Sequence, residues 1–199
     1  MSKISLALLI SVVILGAGEA QAFNSPLSVG VAPPVQFPTK DFSVTGVRAS
    51  LLWGRHRDVY GIDLGVLGNV TDQSFVGLGV SGLFNLTNGM TTILGLQAAG
   101  LTNINTKSVD VYGVQVALGL NKNDGASTVN GVQIAAVNLS EHTVIRGAQI
   151  GVYNTAQAVY GLQVGLVNVC DNLHGLQIGL ANFHHKGLFV VSPILNFGW

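Results

Sequence analysis

The side chains able to do covalent chemistry are few, and their spacing works against it. Ser140, Glu141 and His142 offer a hydroxyl, a carboxylate and an imidazole, but as consecutive residues. A nucleophile, its base and the group that orients the base normally converge from separate elements, so no catalytic residue is expected here. His184 and His185 are adjacent in a turn-like stretch and read as solvated rather than metal-ligating. One cysteine, Cys170, excludes a disulfide framework and a cysteine-rich metal site. With nine positive and nine negative side chains there is no basic excess for nucleic acid. No metal and no cofactor are implied. What recurs instead is an uncharged amide: Gln97, Gln115, Gln133, Gln149, Gln163 and Gln177, in a column that begins with Arg48, Asp63 and Gly79.

These glutamines belong to a repeat. Tyr160-Gly-Leu-Gln-Val-Gly-Leu-Val-Asn168 is followed by His174-Gly-Leu-Gln-Ile-Gly-Leu-Ala-Asn182, and looser copies begin at Gly46, Gly61, Gly77, Gly95, Gly113, Gly131 and Gly147, spaced 14 to 18 residues apart. Each copy alternates with period two, the signature of a strand. One face carries aliphatics such as Val47, Ile62, Leu64, Val114, Ile134, Leu162 and Ile178. The other carries the amide column between small residues. Charged residues make up only 9% of the chain, against about 25% in an ordinary soluble domain, so much of the surface is expected not to meet water.

Read as straight strands of about ten residues, the copies each run roughly 30 Å. Val169–Asn172 is too short to return the chain over that distance for a parallel neighbour, which predicts antiparallel pairing through tight hairpins. Alternating ten-residue strands are what a transmembrane barrel requires, and Phe189, Val191, Leu195, Phe197 and Trp199 resemble the terminal strand of such proteins. The expected fold is all-β: an antiparallel up-and-down transmembrane β-barrel of about ten strands. Trp53, Tyr60, Phe84 and Tyr160 would lie near its outer rim, with Tyr112 at the other. The rival is a small β-solenoid in which each copy bends midway, with the bulky aliphatics expected inside and small residues outside.

In the barrel, Arg48, Asp63, Gln97, Gln115, Gln133, Gln149, Gln163 and Gln177 face the lumen, which is open, plugged by the Pro-containing segment 23–40, or collapsed. Arg48 and Asp63 pair across adjacent strands, a register-fixing ion pair in preference to a constriction. Barrel closure would also set Arg55, His56 and Arg57 beside His184, His185 and Lys186, a basic patch suited to lipopolysaccharide phosphate.

Residues 1–22 read as a signal peptide: a basic start at Lys3, an apolar run from Ile4 to Leu15, and Ala20-Gln21-Ala22 before the cleavage point. The apolar run is too short to span a bilayer. The chain therefore divides into the signal peptide (1–22), the Pro-containing segment (23–40) and the repeat domain (41–199), exported with neutral net charge.

Pro34-Val-Gln-Phe-Pro38, Val44-Thr-Gly-Val-Arg48, Trp53-Gly54, Asp58-Val-Tyr-Gly-Ile-Asp-Leu-Gly65 and the Gly-Leu-Gln-Ile-Gly-Leu units together resemble the surface-repeat outer-membrane proteins of Gram-negative bacteria. A more distant likeness is to porin-like proteins that form rings and enclose lipid. The resemblance implies location in the outer membrane and no assigned reaction. The expectation is a non-enzymatic barrel, structural or lipid-organising, with outer-membrane lipid as partner and self-association into a homo-oligomer. The alternative is a narrow passive diffusion pore.

Overall fold

A computed structural model of the chain describes residues 23–187 and 190–199. The signal-peptide segment and Phe189 lie outside the described residues. Among the described residues fifteen strands run from Asn24 to Gly198, and almost all neighbouring pairs are parallel, in register apart from shifts such as those at His56/Asp58, Gly77/Gly79 and Ser140/Val144. The fold is a parallel β-solenoid of about ten coils. This overturns the antiparallel transmembrane barrel, and with it the lumen, the pore, the rims and the hairpins.

The physical reason is that no copy is one straight strand. Where strand assignments break, a coil resolves into a long limb, Val109–Ala117, and a short limb, Leu120–Asn123. Leu118-Gly119 forms the first corner and Asp124-Gly125-Ala126 the second. The chain circles the axis and arrives one strand spacing further on, about 4.8 Å, so no return path is needed. Val169–Asn172, expected as a hairpin turn, lies within the strand Val167–His184, and Arg55–Asp58 within Trp53–Gly65. Length differences between copies are absorbed mainly at the second corner: Asn123 and Val129 in one coil occupy the positions of Cys170 and Leu173 in another.

Glycine fixes the long limb. Gly46, Gly61, Gly77, Gly95, Gly113, Gly131, Gly147, Gly161 and Gly175 all have φ between +97° and +153°, backbone that side-chain-bearing residues rarely adopt. At Gly161 a Cβ would also collide with the carbonyl oxygen of Gly147 in the preceding coil. Two residues before these glycines, Val44, Val59, Phe75, Ile93, Val111, Val129, Ile145, Val159 and Leu173 belong to one buried apolar cluster, stacked in register from Val44 to Phe75 and again from Ile93 to Leu173.

Both ends are covered. At the start, Asn24–Ala32 pairs parallel with Ser43–Ser50, and Val35–Phe37 folds back on it; the segment 23–40 is thus a cap on a solid stack. At the finish, Val191–Gly198 runs antiparallel along the last coil, interrupted by a shift between Gly179 and Asn182.

Candidate functional site

The interior is built from amides. Gln97, Gln115, Gln133, Gln149, Gln163 and Gln177 are fully buried, so these residues, expected to face a lumen, line a packed core. Each Nε2 from Gln115 onward donates to the Oε1 of the preceding coil's glutamine at 2.8–2.9 Å. Facing them is a second column: Asn69, Asn85, Asn103, Asn121, Asn138, Asn154, Asn168 and Asn182. Here each Nδ2 donates to the Oδ1 of the following coil's asparagine at 2.8–3.0 Å. The second amide proton goes to a backbone carbonyl, as from Asn138 to Ile150 and from Asn154 to Val164. Only nitrogen can donate there, so the amide orientation is determined. The two columns therefore carry oppositely directed amide dipoles, and their fields along the axis offset each other. Side chains also bridge the two limbs: Asn123 Nδ2 donates to Gln115 Oε1 at 3.1 Å, and Ser140 and Gln133 exchange bonds at 3.1 and 3.2 Å.

The first coils use charge instead. Arg48 and Asp63 hold neighbouring register positions, and the guanidinium donates twice to the carboxylate, Nε to Oδ1 at 2.7 Å and Nη2 to Oδ2 at 2.5 Å. Its Nη1 donates to the Val70 carbonyl at 2.8 Å and lies 3.4 Å from His56 Nδ1. His56 Nε2 in turn lies 3.2 Å from the Pro38 carbonyl and 3.3 Å from both Ser28 Oγ and Gln36 Nε2. Burial, and then the Arg48 charge, push the His56 pKa down to about 4. The imidazole is accordingly a neutral hinge between the cap and the ion pair.

Between these systems the glutamine column is interrupted at Gly79. The Phe75 ring fills part of the gap, its Cζ 3.2 Å from where a Gly79 Cβ would sit. A residual cavity of about 10 Å³ remains beside Asp63, Asn69 and Gln97, and the buried Asn69 Oδ1 has no hydrogen-bond partner among the described residues. That volume fits one water molecule.

The exterior reverses the sidedness expected of a solenoid, since the bulky aliphatics point outward. On the long limb the outward positions are held by residues such as Val47, Ile62, Leu64, Ile134, Ile150 and Leu176, all exposed. At the first corner stand Leu51 and Val66 (each 59% exposed), Leu101, Leu118 (77%), Val152, Leu166 and Leu180 (70%). The outward start of the short limb adds Trp53, Phe84, Leu120, Val137, Tyr153 and Val167. Among the described residues no outward position carries a charge from Val47, Ile62, Val114, Leu176 and their counterparts on the long limb, round the first corner, to Trp53, Phe84 and Leu120 at the start of the short limb. Charges lie at the second corner, as Asp72, Lys107, Asp124, Glu141, Asp171 and Lys186, and on the outward limb positions that flank it, as Arg55, Asp110, Lys122 and Arg146. Over about nine coils of about 4.8 Å the uncharged strip covers on the order of 1,000 Å², beyond the few hundred Å² that monomeric soluble proteins expose.

The basic patch expected for lipopolysaccharide does not assemble. Arg55, His56 and Arg57 belong to the first coils, whereas His184, His185 and Lys186 follow the last short limb at the far end of the stack. Arg55 pairs with Asp72 at 2.9 Å, which raises its pKa; Arg57 pairs with Asp58 at 2.9 Å; His56 is buried. His185 meets Asp171 at 2.9 Å, and the buried His184 accepts from the Leu173 amide at 3.1 Å, its pKa lowered first by burial and then by His174 and His185. The aromatic girdle also rearranges. Tyr112 and Tyr160 share one outward position of the long limb, from which Tyr60 is separated by the register shift between Gly77 and Gly79, and Trp53, Phe84 and Tyr153 share one of the short limb. Burial, and then Asp171, raise the Cys170 thiol to about 12, an unreactive state.

The asparagine column was visible as the last residue of the repeat unit, but Asn69, Asn85 and Asn138 also read as turn formers. The first-corner aliphatics gave a clear signal too, one large apolar residue per copy beyond the glutamine. Comparisons with protein-family models, with curated proteins and with solved structures each find no match for this chain. The functional reading therefore rests on its own geometry.

Proposed function

We propose that this chain is a non-enzymatic structural protein of a lipid surface, lying along the membrane with its apolar half among acyl chains and its charged second corner in water. The observation that carries this is the uncharged strip wrapping from one limb round the first corner to the other. A second copy of the chain, packing flat against one limb, would leave the corner leucines bare, whereas acyl chains conform to a convex edge. The amphipathic cross-section matches an interfacial protein, which immerses one side only. The signal-like leader and the surface-repeat resemblance support the bacterial outer membrane as the location, with its lipid as the partner being organised.

The test is flotation of the mature chain after detergent removal with vesicles of phosphatidylethanolamine and phosphatidylglycerol. The wild type is expected to float. The variant Leu118→Asp with Leu166→Asp, which places carboxylates on the exposed corner, is expected to keep its melting temperature and to lose vesicle partitioning by more than about tenfold. A wild-type chain that stays dissolved without lipid, as a monomer or as a discrete dimer that does not float, overturns the reading.

A further inference from the structure

At the border between the apolar half and the polar corner, one outward position of the long limb changes character along the stack. In five consecutive coils it holds Tyr112, Asn130, Arg146, Tyr160 and His174, each in register with the next. Arg146, Tyr160 and His174 are exposed, and the last two rings stack at 4.6 Å with an interplanar angle of 6°. All five side chains offer hydrogen-bond donors and none is a carboxylate. At a spacing of about 4.8 Å they form a line of donors centred on one guanidinium. Among the described residues no carboxylate lies within ion-pair distance of Arg146. Arg55 and Lys122, the cations bordering the apolar strip on the short limb, are held by Asp72 and Asp124.

The neighbouring outward position in the same coils is apolar, with Val114, Val132, Ala148, Leu162 and Leu176. A guanidinium flanked by Asn130 and Tyr160, one outward position away from the apolar strip, stands where headgroups begin. Resting on the proposed lipid-surface reading, we infer that Arg146 receives the phosphate of an anionic phospholipid headgroup. Its planar fork is suited to bidentate phosphate contact, and Asn130 and Tyr160 in the adjoining coils offer donors to the remaining oxygens. The contact sets how deep the solenoid rides and biases it toward anionic lipid.

The experiment measures flotation of the mature protein with vesicles of phosphatidylcholine alone and of phosphatidylcholine with phosphatidylglycerol. Arg146→Gln is expected to weaken binding to the anionic vesicles by about fivefold and to leave binding to the neutral ones unchanged, with the melting temperature as a check on folding. Lys107→Gln, which removes a charge from the second corner, is expected to change neither. Equal behaviour of Arg146→Gln and wild type, or an equal loss in Lys107→Gln, overturns the inference while the lipid-surface reading stands. A wild type that floats with neither vesicle overturns both.

Discussion

The buried cluster at the start of the stack shows how single residues set the terms of stability. Arg48 is fully buried, and such a charge is tolerable only because Asp63 meets it with two bonds and the Val70 carbonyl takes a third. His56 is held neutral first by its burial and then by the Arg48 charge, towards which a proton on Nδ1 would point. Its pKa of about 4 lies below the ordinary 6.5. The unfolded chain therefore binds this proton at a higher pH than the folded one does, and the folded state loses stability as pH falls from about 6.5 toward 4. The loss amounts to about 3 kcal/mol and levels off below that range. Denaturant unfolding at a series of pH values should show this slope in the wild type and a flatter profile in His56→Gln. A profile in the variant as steep as in the wild type would mean that His56 is not its source.

At the scale of the repeating element, the amide columns make each coil depend on its neighbours. Every internal glutamine both gives and receives, so an interruption leaves an unsatisfied group on either side, at about 1–3 kcal/mol for each buried orphan. Gly79 is such an interruption. Gln97 Nε2 finds only a long contact, 3.5 Å to Asn105 Oδ1, and Phe75 occupies the vacated volume. Gly79→Gln alone should destabilise, because the new side chain meets the Phe75 ring. Combined with Phe75→Val, which gives this coil the residue found at Val59 and Val111, it should regain stability, with a non-additive double-mutant cycle measured by thermal melting. Additive effects would mean that the ring does not block the column. The period, the strand character, the inward amides and the Arg48–Asp63 adjacency all follow from alternation and spacing. The direction of pairing did not, because alternation is the same for a straight strand and for one that bends at Leu118-Gly119 and Asp124-Gly125. The choice turned on the shortness of Val169–Asn172, which forbids a parallel return only if the strands are straight. The patch of Arg55, Arg57 and Lys186 failed with it, since it required closure of the first copy on the last.

At the scale of the molecule, the stack is finite and two-sided. The Pro-containing segment covers one end. At the other, Asn196 Nδ2 donates to Gln177 Oε1 at 3.2 Å, Asn182 Nδ2 donates to the Ser192 carbonyl at 3.1 Å, and Asn196 Oδ1 accepts from the Phe197 amide at 3.0 Å. Both amide columns thus end in protein, which favours a bounded rod over end-to-end growth. A rod of this kind sets distances that a barrel does not share. Tyr112 and His174 occupy one outward position four coils apart, through Asn130, Arg146 and Tyr160, a Cα separation of about 19 Å along the axis at about 4.8 Å per coil. Tyr112 and Tyr160 are three coils apart, or about 14 Å by the same spacing. Spin labels on cysteines at these exposed positions, in a Cys170→Ser background, should give dipolar distances that lengthen by one strand spacing from the second pair to the first. Labels at Tyr160 and His174, in adjacent coils, should broaden each other strongly. A separation that failed to grow with coil number would dismantle the parallel stack, and with it the uncharged strip on which the lipid-surface reading stands.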